Sequence, residues 1–101
     1  MVRVMGNSLT QVVLLLITRK LYPDRIVGAG QFKNPSHLFV DSSDNILVAD
    51  QSNGRILVEH LNGNHIKSIG TGQLSSPRGV CMDHEGRIIV SENGAHRISI
   101  F

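Results

Sequence analysis

The chain has 101 residues, 41% hydrophobic and 4% aromatic, with no Trp, which fits one small soluble domain and argues against disorder or a surface that stacks many bases. Net charge is +2, but residues 1–25 set Arg3, Arg19, Lys20 and Arg25 against Asp24 alone, while residues 26–101 carry six Lys/Arg against seven Asp/Glu. Composition there gives no support to non-specific phosphate binding, which needs clustered cations. A single cysteine, Cys81, excludes an internal disulfide and favours a reducing compartment, so a cytoplasmic location is expected.

In chain order, residues 12–17 (Val-Val-Leu-Leu-Leu-Ile) are the longest apolar run. Six residues cannot span a bilayer, which takes about 20. As a signal peptide the run is short and lacks a small-residue cleavage site. A strand is expected, and no membrane partner. Gly28-Ala29-Gly30 is followed by no helical pattern, so it reads as a connecting turn and not as a phosphate cradle. Leu38 and Val40 then alternate with His37, Phe39 and Asp41. Residues 46–49 (Ile-Leu-Val-Ala) are a short continuous apolar run, as suits a strand covered on both faces. Residues 50–54 (Asp-Gln-Ser-Asn-Gly) form a turn cluster, residues 55–58 a third strand, and Asn62-Gly63 carries a strong hairpin signal. Residues 65–69 make a fourth, weaker strand before Gly70-Thr71-Gly72.

The second half repeats the first. Pro35 and Pro77 lie 42 residues apart, and that offset aligns Gly28 with Gly70, Gly30 with Gly72, Gln31 with Gln73, Asp41 with Asp83, and Arg55-Ile56 with Arg97-Ile98. A period of about 40–45 residues is what one four-stranded propeller blade consumes.

The repeated residues carry a resemblance. Gly30-Gln31-Phe32, Pro35, Val40-Asp41, Asn45-Ile46-Leu47-Val48-Ala49-Asp50 and Asn53-Gly54-Arg55-Ile56 resemble the NHL repeat. The second unit continues it through Ser76-Pro77-Arg78-Gly79-Val80, Asp83, Glu85-Gly86-Arg87-Ile88-Ile89-Val90 and Arg97-Ile98. Within that family the chain is most similar to the propellers of tripartite-motif (TRIM)-NHL proteins. The resemblance implies an all-β partial β-propeller of about two four-stranded antiparallel blades: repeat 1 at residues 26–69 and repeat 2 at residues 70–101, lacking its outermost strand. Residues 1–25 are then a degenerate or non-native segment, or the outer strands of a preceding blade. The remaining blades come from a longer chain or from a homo-oligomer.

Asp50 with Arg55, and Glu92 with Arg97, recur at one spacing across a strand-strand turn, where a carboxylate and a guanidinium can pin the connection. The resemblance implies that these four, with Pro35, Asp41, Pro77 and Asp83, are architecture. It also implies a binding face built from the blade links and the turns between second and third strands. On that face it puts Lys33, Asn34, Ser36, Gln51, Asn53, Arg78, Asn93 and His96. Lys33 and Arg78 suit phosphate, and the Asn side chains suit base edges. The implied role is a binding or scaffold module for a protein partner or a single-stranded or hairpin RNA, as in the substrate-recognition part of a TRIM-NHL-type ubiquitin ligase. These residues contain no RING, so ligase chemistry would belong to other sequence, and neither enzyme activity nor a cofactor is expected.

Two alternatives stay open. One is a fragment of an NHL-like metal-dependent lyase or lactonase. The five histidines show no metal-ligand spacing, and His37 falls one residue away from where the lyase pattern carries its zinc ligand. The other alternative is an inactive truncated product.

Overall fold

The computed structural model describes residues 2–4, 12–14, 25–27 and 30–101. Among them, β1 (Val2–Val4), β2 (Val12–Leu14) and β3 (Arg25–Val27) form a sheet in the order β2-β1-β3. β1 pairs antiparallel with β2 and parallel with β3. The parallel pair sets this sheet apart from the two that follow, which are antiparallel meanders. The rest of the 12–17 run, and Gly28-Ala29, lie outside the described residues.

The second sheet runs β4 (Pro35–Val40), β5 (Asn45–Asp50), β6 (Arg55–His60), β7 (His65–Ile69), each strand antiparallel to the next. The third runs β8 (Pro77–Met82), β9 (Ile88–Glu92), β10 (Arg97–Ile100). Both first strands slip register after their proline, between Pro35 and His37 and between Pro77 and Gly79. Proline has no N–H for the ladder, and such a slip bends the strand locally.

The same turn chemistry closes both meanders. Asp41 Oδ1 accepts the backbone N–H of Ser43 at 2.8 Å and of Asn45 at 2.9 Å. Asp83 Oδ1 accepts those of Glu85 and Arg87, each at 2.9 Å. A short side-chain acceptor at this place mimics a backbone turn and fixes the β4–β5 and β8–β9 connections. Gln51–Asn53 make one turn of 3-10 helix ended by Gly54 at φ 59°. Glycine is required there. A Cβ on residue 54 would lie 2.7 Å from the carbonyl oxygen of Leu74, besides the cost of the left-handed conformation.

Alternation along the strands produces two cores. Ile46, Val48 and Leu57 point to one face of the second sheet and pack with Phe32 and Leu61. Leu47, Ala49, Ile56 and Val58 point to the other face and meet Leu74, Val80, Ile88 and Val90. β5 is therefore buried on both sides, which is why its sequence is continuously apolar and not alternating. Each of these side chains except Ala49 contributes about 2 kcal/mol over leaving it in water.

The two meanders sit side by side with their first strands adjacent. Ser36 Oγ reaches the carbonyl oxygens of Arg78 at 3.0 Å and Pro77 at 3.2 Å. The Val80 N–H donates to His37 Nδ1 at 3.3 Å. The architecture is an all-β partial propeller: a four-stranded blade packed face to face on a three-stranded one.

Candidate binding face

The starts of β4 and β8, the ends of β5 and β9, and the starts of β6 and β10 share one end of the blades. The registers Pro35↔Asp50↔Arg55 and Pro77↔Glu92↔Arg97 put them there. A buried carboxylate organises this end of each blade.

In the first blade Asp50 Oδ1 accepts the backbone N–H of Lys33 at 2.9 Å and of Asn34 at 3.5 Å. Its Oδ2 accepts Asn53 Nδ2 at 2.8 Å and Arg55 Nε at 2.9 Å. Arg55 Nη2 continues to the carbonyl of Gln31 at 2.8 Å. Four donors satisfy a charge that burial would otherwise make costly. In the second blade Glu92 Oε1 accepts the Ser75 N–H at 2.8 Å, and Oε2 accepts Arg97 Nε at 2.7 Å and the Ser99 hydroxyl. Arg97 Nη2 adds a bond to Oε1 at 3.2 Å, so the guanidinium grips both oxygens. The Arg97 bond, then those from Ser99 and Ser75, outweigh desolvation and hold the Glu92 carboxyl down to about 2. The same pairing raises Arg97 further above its ordinary value. At the opposite end of the sheet, the Arg87 N–H and guanidinium hold Asp83 below the usual carboxylate range.

The eight residues of the expected face fall into two groups on this end, joined by a bridge. Lys33, Asn34, Gln51 and Asn53 gather around Asp50. Lys33 is exposed while its N–H is fixed, and the Gln51 N–H donates to the Asn34 carbonyl at 3.1 Å. The Asn53 amide nitrogen is already engaged by Asp50. Arg78, Asn93 and His96 are exposed and converge on one open cavity of about 280 Å³, completed by Ser91, Glu92, Arg97 and Ile98. Ser36 lies between the groups, its hydroxyl directed to the second blade's backbone carbonyls.

Arg97 and Glu92, which the repeat pattern assigns to architecture, both line the cavity; of the two, Arg97 is the exposed one. Its side chain both clamps Glu92 and walls the cavity. Its spacing from Glu92 revealed the clamp, whereas the wall depends on where β8 passes, which one strand's sequence does not encode. Chemically the cavity offers two guanidinium groups, an amide and an imidazole above a buried carboxylate that is already neutralised. That set suits anionic or hydrogen-bonding groups of a ligand. Among the described residues, no group of three or more His, Cys, Asp or Glu is placed to hold a metal ion, and no helix is long and apolar enough to cross a membrane.

A search of curated proteins gives no match for the chain. The sequence pattern of the NHL repeat matches residues 74–101, which run from the link at Leu74 through β8, β9 and β10. The matched span covers the whole three-stranded blade, including its Glu92–Arg97 clamp.

Proposed function

We propose that the chain is a binding and scaffold module that presents one end of its blades to a macromolecular partner. The observation that carries this reading is the convergence of Arg78, Asn93 and His96 on a single cavity whose floor carboxylate is neutralised by Arg97. With the floor charge cancelled, the cavity presents net positive and hydrogen-bonding character. Residues 26–69 are read as a second NHL repeat, because they share with the matched span the 42-residue offset, the aspartate turn and the carboxylate clamp. The finer readings are a protein partner or an RNA, and the recognition part of a TRIM-NHL-type ubiquitin ligase. They rest on the resemblance of residues 76–80 and 85–90 to that group.

The test separates the two partner classes. Lys33→Glu with Arg78→Glu reverses charge at two exposed cations of the face and leaves the Arg97 clamp intact. If the ligand is single-stranded RNA, affinity for a random RNA pool falls, and the dependence of log K on log salt flattens by about 1.4, roughly 0.7 for each lost phosphate contact. A protein partner gives a shallow salt dependence in the unmodified chain and a loss confined to that partner. Unchanged binding of both classes would remove the face from consideration.

A further inference from the structure

We propose that Asn62 is a self-modifying site, at which the β6–β7 hairpin converts its own asparagine to aspartyl and isoaspartyl forms. The reaction is independent of what the blade ends bind. An asparagine followed by glycine is open to attack by the glycine's backbone nitrogen on the side-chain carbonyl carbon, because the glycine has no side chain in the way. The chain holds three such pairs: Asn53-Gly54, Asn62-Gly63 and Asn93-Gly94. As dipeptides they are identical. The fold separates them by the direction of the asparagine side chain, the space around the glycine and the hold on the glycine N–H.

Asn53 is turned back along the chain, away from Gly54, with its Nδ2 donating to buried Asp50 at 2.8 Å. Asn93 is turned outward and lines the cavity at the β9–β10 turn. Asn62 is folded forward over its own glycine, and its Oδ1 accepts the Asn64 N–H at 2.9 Å. This Asx turn carries the side-chain carbonyl along the backbone past residue 63. The same bond polarises the carbonyl under attack and stabilises the negative charge that its oxygen gains in the transition state. Space favours the same pair. A Cβ on residue 54 would meet the Leu74 carbonyl oxygen at 2.7 Å, and one on residue 94 would collide with the Ser75 side chain, whereas nothing lies within 4 Å of that position at Gly63. Asn62, Gly63 and Asn64 are all exposed.

The glycine N–H must come free before it can react. At Gly94 it is tied across the blade link to the Ser75 carbonyl at 2.9 Å, and the Asn93 N–H is tied to Ser76 at 3.0 Å. Gly54 donates to the Gln51 carbonyl at 3.1 Å, while its own carbonyl accepts the Leu74 N–H at 3.2 Å. Gly63 donates to the His60 carbonyl at 2.8 Å, but that bond lies within the hairpin's own turn and opens by motion of the tip alone. The Gly63 nitrogen then gives its proton to solvent base and bonds to Cγ of Asn62. The Cγ–Nδ2 bond breaks, and the amide group leaves as ammonia with a proton returned from solvent. Water opens the resulting succinimide. Cleavage of N–Cγ gives aspartate at position 62, and cleavage of the main-chain N–C bond gives isoaspartate, whose backbone runs through Cβ. Nothing is oxidised or reduced. The isoaspartyl form lengthens the main chain by one carbon beside Leu61, which is fully buried and held by its N–H to the Asp44 carbonyl at 2.9 Å. The outer strand β7 is thereby loosened from β6.

Peptide mapping by mass spectrometry on the full folded chain, held in mildly alkaline buffer at physiological temperature, reads each asparagine over time. Expected is conversion at Asn62 at least about tenfold faster than at Asn53 or Asn93, with isoaspartate at that position. In concentrated urea the three pairs lose their surroundings, and their rates should come together. Asn62→Ser removes the reacting carbonyl, so the isoaspartyl content of the folded chain should fall with it. In the isolated isoaspartyl form, the β7 amides that face β6 should exchange with solvent faster than in the parent; equal exchange would overturn the loosening of β7. Asn53 or Asn93 reacting as fast as Asn62 in the folded chain overturns the proposal. So does a folded chain whose Asn62 stays intact while the urea-unfolded chain converts there.

Discussion

Ile56 and Ile98 occupy the same position in the two blades and live in opposite surroundings. Ile56 is fully buried where the first blade meets the second, and Ile98 is 63% exposed on the second blade's far face. The blades are built alike, with the same aspartate turn, the same slip after proline and the same clamped carboxylate. What differs is the neighbour. The lesson is that a blade's sequence encodes its own meander, while burial of its apolar face is conferred by whatever packs on it. Asp50 and Glu92 make the related point on a smaller scale. The shorter Asp50 is capped by Asn53 from its own turn, and Glu92, one methylene longer, reaches the Ser99 hydroxyl on β10.

The sharpest test of that lesson is to make the same substitution twice. Ile56→Ala removes side-chain volume from a closed core and should cost about 3–4 kcal/mol, the transfer loss plus the cavity left behind. Ile98→Ala should cost within about 0.5 kcal/mol in dilute solution, as an exposed position does. Urea unfolding of each variant checks the pair, and similar losses would show that the far face is covered. Gly54→Ala comes next, at about 2 kcal/mol or more. A Cβ there meets the Leu74 carbonyl oxygen at 2.7 Å, and φ 59° is a left-handed conformation that alanine resists. A midpoint indistinguishable from that of the parent would mean that the β5–β6 turn can move away from the blade link.

Most of the fold was legible because its signals are local. Four apolar residues in a row at 46–49, an Asn-Gly at 62–63 and a 42-residue offset predict strands, a hairpin and a second blade, and β4 to β10 follow them closely. The cross-blade chemistry was not legible. Ser36 reaches carbonyls 41 and 42 residues along the chain, and His37 accepts from an N–H 43 residues away, so no spacing rule within a strand signals either bond. Ser99 as a partner for Glu92 was equally hidden, since a serine in an outer strand ordinarily faces water. The parallel pairing of β1 with β3 has no pattern of its own in residues 1–25. As for the candidate face, the resemblance puts Arg78, Asn93 and His96 on one face; that they also line one cavity depends on the passage of β8 beside the β9–β10 turn, which no local pattern signals.

The two clamps can be compared further through acid. Glu92 titrates at about 2 in the folded chain against an ordinary 4.5. Because the folded value is the lower one, the unfolded chain takes up the proton first as pH falls. The clamp's contribution is complete above about pH 4.5 and is lost as pH drops through about 2. Asp83 is also lowered and titrates on the same acidic side, so the parent alone cannot isolate Glu92. Urea midpoints of the parent and of Glu92→Gln, taken from roughly pH 2 to pH 6, separate them by difference, since Asp83 is common to both. The parent should fall more steeply below about pH 4.5; parallel profiles would mean that the clamp does not depend on the charge of Glu92.

The smallest effect tests the turn that borders the cavity. His96 sits at φ 53°, where the first blade has Gly54 at 59°. A non-glycine residue in that region costs about 1–2 kcal/mol, and glycine gives back roughly 0.5–1 kcal/mol of that through the freedom it adds to the unfolded chain. His96→Gly should therefore stabilise the fold by about 0.5–1 kcal/mol, a rise of roughly 3–5 °C in melting midpoint for a chain of this size. Calorimetry checks the sign. A fall would show that the imidazole makes contacts worth more than the strain. A rise accompanied by weaker ligand binding would show that the second blade keeps a strained residue because the cavity needs its side chain, the usual exchange of stability for function at a binding site.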